Sequence, residues 1–171
     1  MKAILAALAA SALLAAHAAE HAHQHAQSPY AGQQSRQIKA LSDSEVEDLL
    51  KGAGMGDAKA AELNRYPGPM HTLENADALE LTGSQRDALA ALMQRHKAEA
   101  RTLGAEVVSL ERELDKLFAS RAATAPQVDA LLTRIAERTA ALRGSHLKTH
   151  LQATALLTPA QIDRYNALRG Y

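Results

Sequence analysis

The sequence predicts an all-α protein built on a long antiparallel helical hairpin with short flanking helices. Two heptad runs joined by a short break predict the hairpin. Repeated capping boxes mark where helices begin. Composition agrees: Ala, Leu, Glu, Arg and Gln dominate, and Phe118 and four tyrosines are the only aromatics, with no tryptophan. Such a chain suits helices joined along a narrow seam better than a broad core.

The 171 residues are enough for one domain. Met1-Lys2 precedes the run Ala3–Ala16, apolar apart from Ser11, and small residues follow. Residues 1–18 read as a secretory signal peptide cleaved before Ala19, too short and alanine-rich for a membrane span. The destination is the bacterial periplasm, with no membrane span after cleavage. No cysteine follows, so no lipid anchor or disulfide is expected. Loss of Lys2 turns the formal charge from 0 to about −1, which argues against a nucleic-acid partner.

Residues 19–39 are polar and aperiodic and read as a flexible arm containing His21, His23 and His25. Cleavage before Ala19 would create Ala19-Glu20-His21, whose amine, two amides and imidazole form a square-planar set suited to Cu(II) or Ni(II). The alternative is a solvated low-complexity tail. The helical domain spans 40–171. Ser42 and Glu45 form a capping box, with Leu41 and Val46 placed as a hydrophobic staple, and Gly52–Gly56 ends that helix. A short helix over Ala58–Leu63 is stopped by Asn64 and Tyr66-Pro67-Gly68-Pro69. Met70–Glu80 forms a further turn or two.

The long helix starts at Leu81-Thr82-Gly83-Ser84-Gln85, with Thr82 as cap and Gln85 closing the box. Its seam is Leu89, Met93, His96, Ala100, Leu103, Val107, Leu110, Leu114 and Leu117. Ser120–Ala125 breaks the run, and Pro126 suits the first turn of a new helix. The second seam is Val128, Leu132, Ile135, Thr139, Leu142, His146, Thr149, Ala153 and Leu156. A last helix begins at Leu157-Thr158-Pro159-Ala160-Gln161 and ends at Gly170. A two-helix hairpin covers only one side of each seam, so the short helices must wrap it and a second copy is expected to cover the rest, giving a homodimer.

Folding the hairpin about Ser120–Pro126 brings His96 opposite the turn that carries His146 and His150. At spacing i, i+4 the latter two share one helix face, close enough for one ion. Zn, Ni, Co and Cu(II) all accept imidazole. Met93 and Glu99 lie one turn either side of His96 as further donors. The alternative is two seam or surface histidines without a ligand, with His96 hydrogen-bonding across the hairpin. His71, after the Tyr-Pro-Gly-Pro break, is either a ligand or a polar residue near a helix start. The cations Arg95, Lys97, Arg101, Arg112 and Lys116 read as a solvated helix face, with the charged lining of a concave surface as the alternative. The chain has no cysteine, no Gly-x-Ser-x-Gly, no phosphate loop and no His-Glu-x-x-His, so no enzyme is indicated and no organic cofactor.

Leu81-Thr82-x-x-Gln85 and Leu157-Thr158-x-x-Gln161, flanking a helical hairpin behind a signal peptide, resemble the LTxxQ proteins, the Spy/CpxP-like chaperones and periplasmic heavy-metal sensors. Gly54–His71 and Ala155–Tyr171 look like the branch labelled periplasmic heavy-metal sensor or Spy/CpxP-like chaperone. The resemblance implies a hooked hairpin that dimerises into a cradle. It implies one of two activities: divalent metal binding in heavy-metal resistance or envelope stress sensing, or ATP-independent holding of unfolded client proteins. In the sensors a histidine pair precedes the long helix and a second pair lies on the later helix. His146-Leu147-Lys148-Thr149-His150 matches the later pair. Only His71 is available in the earlier region, with Glu74 one turn on, and His96 is the substitute for the missing ligand.

Overall fold

The computed structural model describes residues 28–171, and residues Gly32–Tyr171 are one packed unit. A single 3-10 turn, Gln33–Ser35, precedes six helices: α1 Asp43–Lys51, α2 Lys59–Glu62, α3 Pro69–Glu74, α4 Gly83–Ala119, α5 Ala125–Thr154 and α6 Pro159–Arg169. No strand occurs among the described residues. No helix there is long and apolar enough to cross a membrane. The segment read as a signal peptide and most of the expected N-terminal arm, including His21, His23 and His25, lie outside the described residues.

Helices start where the capping boxes put them. Ser42 Oγ accepts from the Glu45 amide at 3.2 Å, and Glu45 accepts from the Ser42 amide at 2.8 Å. The Ser42 amide first, and then the Ser42 hydroxyl donating to Glu45 Oε2 at 2.7 Å, hold the Glu45 carboxyl below its usual range. Leu41 and Val46, at the two staple positions, both pack against the apolar cluster that contains Leu49. The packed unit begins earlier than residue 40. Ile38 is fully buried, and the Lys39 amide donates to Asp115 on α4. One apolar side chain is enough to draw the end of a polar segment onto the hairpin. At the hairpin tip Arg121 adopts a left-handed conformation (φ 56°) and Gln127 reaches back to the Thr124 amide at 3.1 Å, a box that Pro126 alone does not announce.

α4 and α5 form the antiparallel hairpin. Exposed ion pairs Arg134–Glu113 and Arg138–Glu106, each at 3.1 Å, cross it and contribute little by themselves. Its seam carries two apolar clusters. Leu79, Leu81, Leu89, Leu92, Ala153 and Tyr165 gather at the end where α3, α4 and α6 meet. Ile38, Leu49, Ala100, Val107, Val108 and Leu142 gather under α1. His96 and His146 lie in the layer between them. Toward the tip no described residue covers these positions of the second seam: Leu132 and Thr139 are exposed, and so is Phe118 on α4. Heptad spacing specifies which face is apolar, but burial needs a third element, and α1 reaches only the α4 side.

The two Leu-Thr-x-x-Gln segments are joined to each other. Gln85 Oε1 accepts from the Thr82 amide at 3.0 Å and from Gln161 Nε2 at 3.1 Å. Gln161 Oε1 accepts from the Thr158 amide at 2.9 Å and from Gln85 Nε2 at 2.9 Å. Each amide also donates to a carbonyl just before the other box: Gln85 to Leu156 at 2.8 Å, Gln161 to Leu79 at 3.2 Å. Each glutamine thus caps its own helix with its oxygen and ties the two helix starts together with its nitrogen. Glutamate would preserve the cap, as Glu45 does, but supply no donor. Gln85→Glu is therefore expected to destabilise the fold by about 1–2 kcal/mol in urea unfolding, and Ser42→Ala by about 1 kcal/mol. A Gln85→Glu protein as stable as wild type would refute the tie.

Candidate functional site

The short segments before α4 exist to close one end of the hairpin. Gly52–Gly56 carries the chain off α1, and Pro67-Gly68-Pro69 turns it into α3. Between these segments, α2, α4, α5 and the C-terminus lies a cavity of about 460 Å³. His71, His96, His146 and His150 all line it, as do Met93, Met70 and Glu62.

The hairpin register brings His96 to His146 as expected: Nε2 and Nδ1 are 3.0 Å apart, and the rings meet edge to face with centroids 4.5 Å apart. His150 does not join them. Its Nδ1 lies 2.7 Å from the Tyr66 carbonyl and 3.5 Å from Glu62 Oε2. His71 turns to Glu74, Nδ1 to Oε2 at 2.8 Å. Glu99 is exposed and lies off the cavity. Among the described residues, no three His, Asp or Glu side chains stand close enough together to hold an ion. The expected trio is thus a pair plus a third histidine held elsewhere on the same wall. The reason is local: Tyr66-Pro67-Gly68 passes directly over His150, and a carbonyl is a stronger partner than a second imidazole.

Gly68 makes that approach possible, because a Cβ there would lie 2.7 Å from His150 Cε1. A carbonyl only accepts, so His150 Nδ1 carries the proton and Nε2 keeps its lone pair in the neutral ring. Glu74 imposes the same tautomer on a neutral His71. In the central pair two tautomers satisfy the contacts: His146 Nδ1 donates to His96 Nε2 and His96 Nδ1 donates toward Ser145 Oγ at 3.5 Å, or His96 Nε2 donates to His146 Nδ1 and the Ser145 hydroxyl donates to His96 Nδ1. His146 Nε2 is buried and without a hydrogen-bond partner in both, and in the first it is unprotonated. Burial pushes both rings toward the neutral form. His96 falls to about 4, through desolvation first and then the neighbouring His146 and His150. His146 is lowered by desolvation and by His150, against the opposing pull of Asp57. Neutral imidazoles with one nitrogen held by a second group are the form in which histidine ligates metals.

Glu62, on α2, has no sequence signal that announces it. Its Oε1 accepts from the Tyr165 hydroxyl at 2.6 Å, with Arg169 Nε at 3.4 Å. Burial, then the Glu62 hydrogen bond, pushes the Tyr165 hydroxyl far above its usual range. Glu62 thus fastens α6 and the C-terminus over the cavity. No spacing rule connects residues so far apart in the chain, and only folding α6 back onto α2 brings them together.

Imidazole is a ligand for borderline divalent transition ions, but among the described residues no three His, Asp or Glu side chains are gathered into a set that holds one. No curated protein and no solved structure matches the chain. Residues 67–169 match the model of the family described as LTXXQ motif family protein, a stretch that holds both glutamine boxes, the hairpin and His71, His96, His146 and His150, and the chain therefore belongs to the LTXXQ motif family.

Proposed function

We propose that this chain is a periplasmic binding protein for a divalent transition metal, Zn, Ni, Co or Cu(II), acting in heavy-metal resistance or envelope stress sensing rather than as an enzyme. One observation carries the reading: His146, whose Nε2 is buried and unpartnered, lines the same cavity as His150 one helical turn away, and His150 Nδ1 is held on the Tyr66 carbonyl. An orphaned buried nitrogen is costly unless something binds it. His146 and His150 would hold the ion, with His71, Met93 or His96 reaching it by side-chain rotation. Glu74 orients His71. The His-containing arm is a second binding segment.

Calorimetric titration of the metal-free protein with each ion tests this. Micromolar or tighter binding is expected, weakened at least about 100-fold in His146→Ala/His150→Ala and about tenfold in Gly68→Ala, which displaces the His150 ring without removing a donor. No binding in any form would end the metal reading. Binding lost only on removal of residues 19–27 would move the site to the arm.

Exposed Phe118 and Leu132 on the uncovered part of the hairpin favour a second reading, an ATP-independent chaperone that holds unfolded clients, with the same face joining two copies as a dimer. Suppression of client aggregation by the metal-free protein would support it.

A further inference from the structure

We propose that the cavity takes its metal as an anionic chelate, a divalent ion already bound by a small polycarboxylate, an inference that rests on the metal reading above. Three observations point the same way.

The first is the donor count. His146 and His150 each keep Nε2 outside any hydrogen bond, while His96 is engaged by His146 and Glu62 by Tyr165 and Arg169, and among the described residues no three His, Asp or Glu side chains are gathered to hold an ion. Divalent transition ions take about four to six ligands. A site of two imidazoles leaves at least half of them to be filled from outside.

The second is size. The cavity holds about 460 Å³. A bare ion needs room for a few waters of roughly 30 Å³ each. The observed volume falls instead within the roughly 300–1,000 Å³ of small-molecule sites. Dry walls assist: Met93, Met70 and Pro69 line it beside the polar groups.

The third is charge. Lys59, Lys97 and Arg169 line the cavity, and Glu62 is the one carboxylate in its wall among the described residues. Glu62 is already engaged by Tyr165 and Arg169, while Lys59 and Lys97 have no ion pair there. This lining repels a bare dication and attracts a complex whose ligand carries excess negative charge. The histidines would take the open positions on the metal, and the lysines would meet the free carboxylates.

Nickel citrate serves as the probe. The mature full-length protein, stripped of metal, is dialysed to equilibrium against labelled nickel, labelled citrate, or both, and retention of each label is measured. The expected result is equimolar retention of nickel and citrate, with affinity for the complex at least about tenfold above that for aqua nickel. Lys59→Gln/Lys97→Gln should lower affinity for the complex about tenfold and leave that for aqua nickel unchanged or higher. Nickel retained without citrate from the mixture would overturn the chelate and leave the metal reading standing. Citrate retained equally well without nickel would overturn it in favour of a plain anion site. Failure to retain nickel from either source would remove both the chelate and the metal reading beneath it.

Discussion

Gly104→Ala is expected to lower the unfolding free energy by about 2–3 kcal/mol, while the same change at Gly144 is expected to raise it by up to about 1 kcal/mol. Both glycines lie inside long helices, where alanine is the better helix former. At Gly144 a Cβ meets nothing within 4 Å, so only the propensity gain remains. At Gly104 the Cβ would sit 2.1 Å from the Leu49 carbonyl oxygen and 2.8 Å from its carbon. Backbone cannot rotate away as a flexible side chain can, so α1 must shift off α4. That shift withdraws Leu49 from the cluster with Ala100, Val107 and Leu142. Denaturant unfolding measures the two changes, and hydrogen exchange should show α1 amides losing protection before those of α4 and α5. A Gly104→Ala protein as stable as Gly144→Ala would refute the close approach.

Acid is expected to destabilise the metal-free protein well before its carboxylates titrate. His96 falls from 6.5 in the unfolded chain to about 4 in the fold, and His146 moves in the same direction. Below pH ~6.5 the unfolded state takes up protons that the folded state refuses, so stability falls with pH and the His96 contribution is exhausted near pH 4. At about 1.4 kcal/mol per pH unit between 6.5 and about 4, the loss from His96 is at most about 3.5 kcal/mol. The groups acting on the pair are His150, which opposes charging, and Asp57, which favours it at His146. Glu45, Glu47 and Glu80 are lowered and contribute only below their ordinary range. Glu111 is raised by burial and acts in the opposite sense. Urea unfolding between pH 7 and 4.5, with chelator present, should give a steep slope for wild type and a shallow one for His96→Leu/His146→Leu. Equal slopes would show that the pair is not the source.

Much of this molecule is local in origin. Every long helix begins at a box of the form Ser/Thr-x-x-Glu/Gln, a feature four residues wide that needs no tertiary information. The meeting of His96 with His146 follows from the seam steps of four and three on both helices, because a periodic register carries from the turn along the whole hairpin. The burial of Ile38 was not legible, since one isoleucine in a polar stretch has no period. The exposure of Leu132 was not legible either, because a seam position reports which way a residue faces and not what covers it.

The sequence by itself determined the hairpin, its register, the helix starts and the histidine layer between two apolar clusters, since each follows from short-range periodicity and capping. Tertiary structure alone decided that Gln85 and Gln161 clasp one another, that Tyr66 and Glu62 take His150 from the expected trio, and that the four histidines line one cavity with only His96 and His146 in contact. These contacts join segments tens of residues apart with no repeating pattern between them. Their geometry depends on how far irregular turns, above all Tyr66-Pro67-Gly68-Pro69, carry the chain, and that distance is set by packing rather than by any local rule.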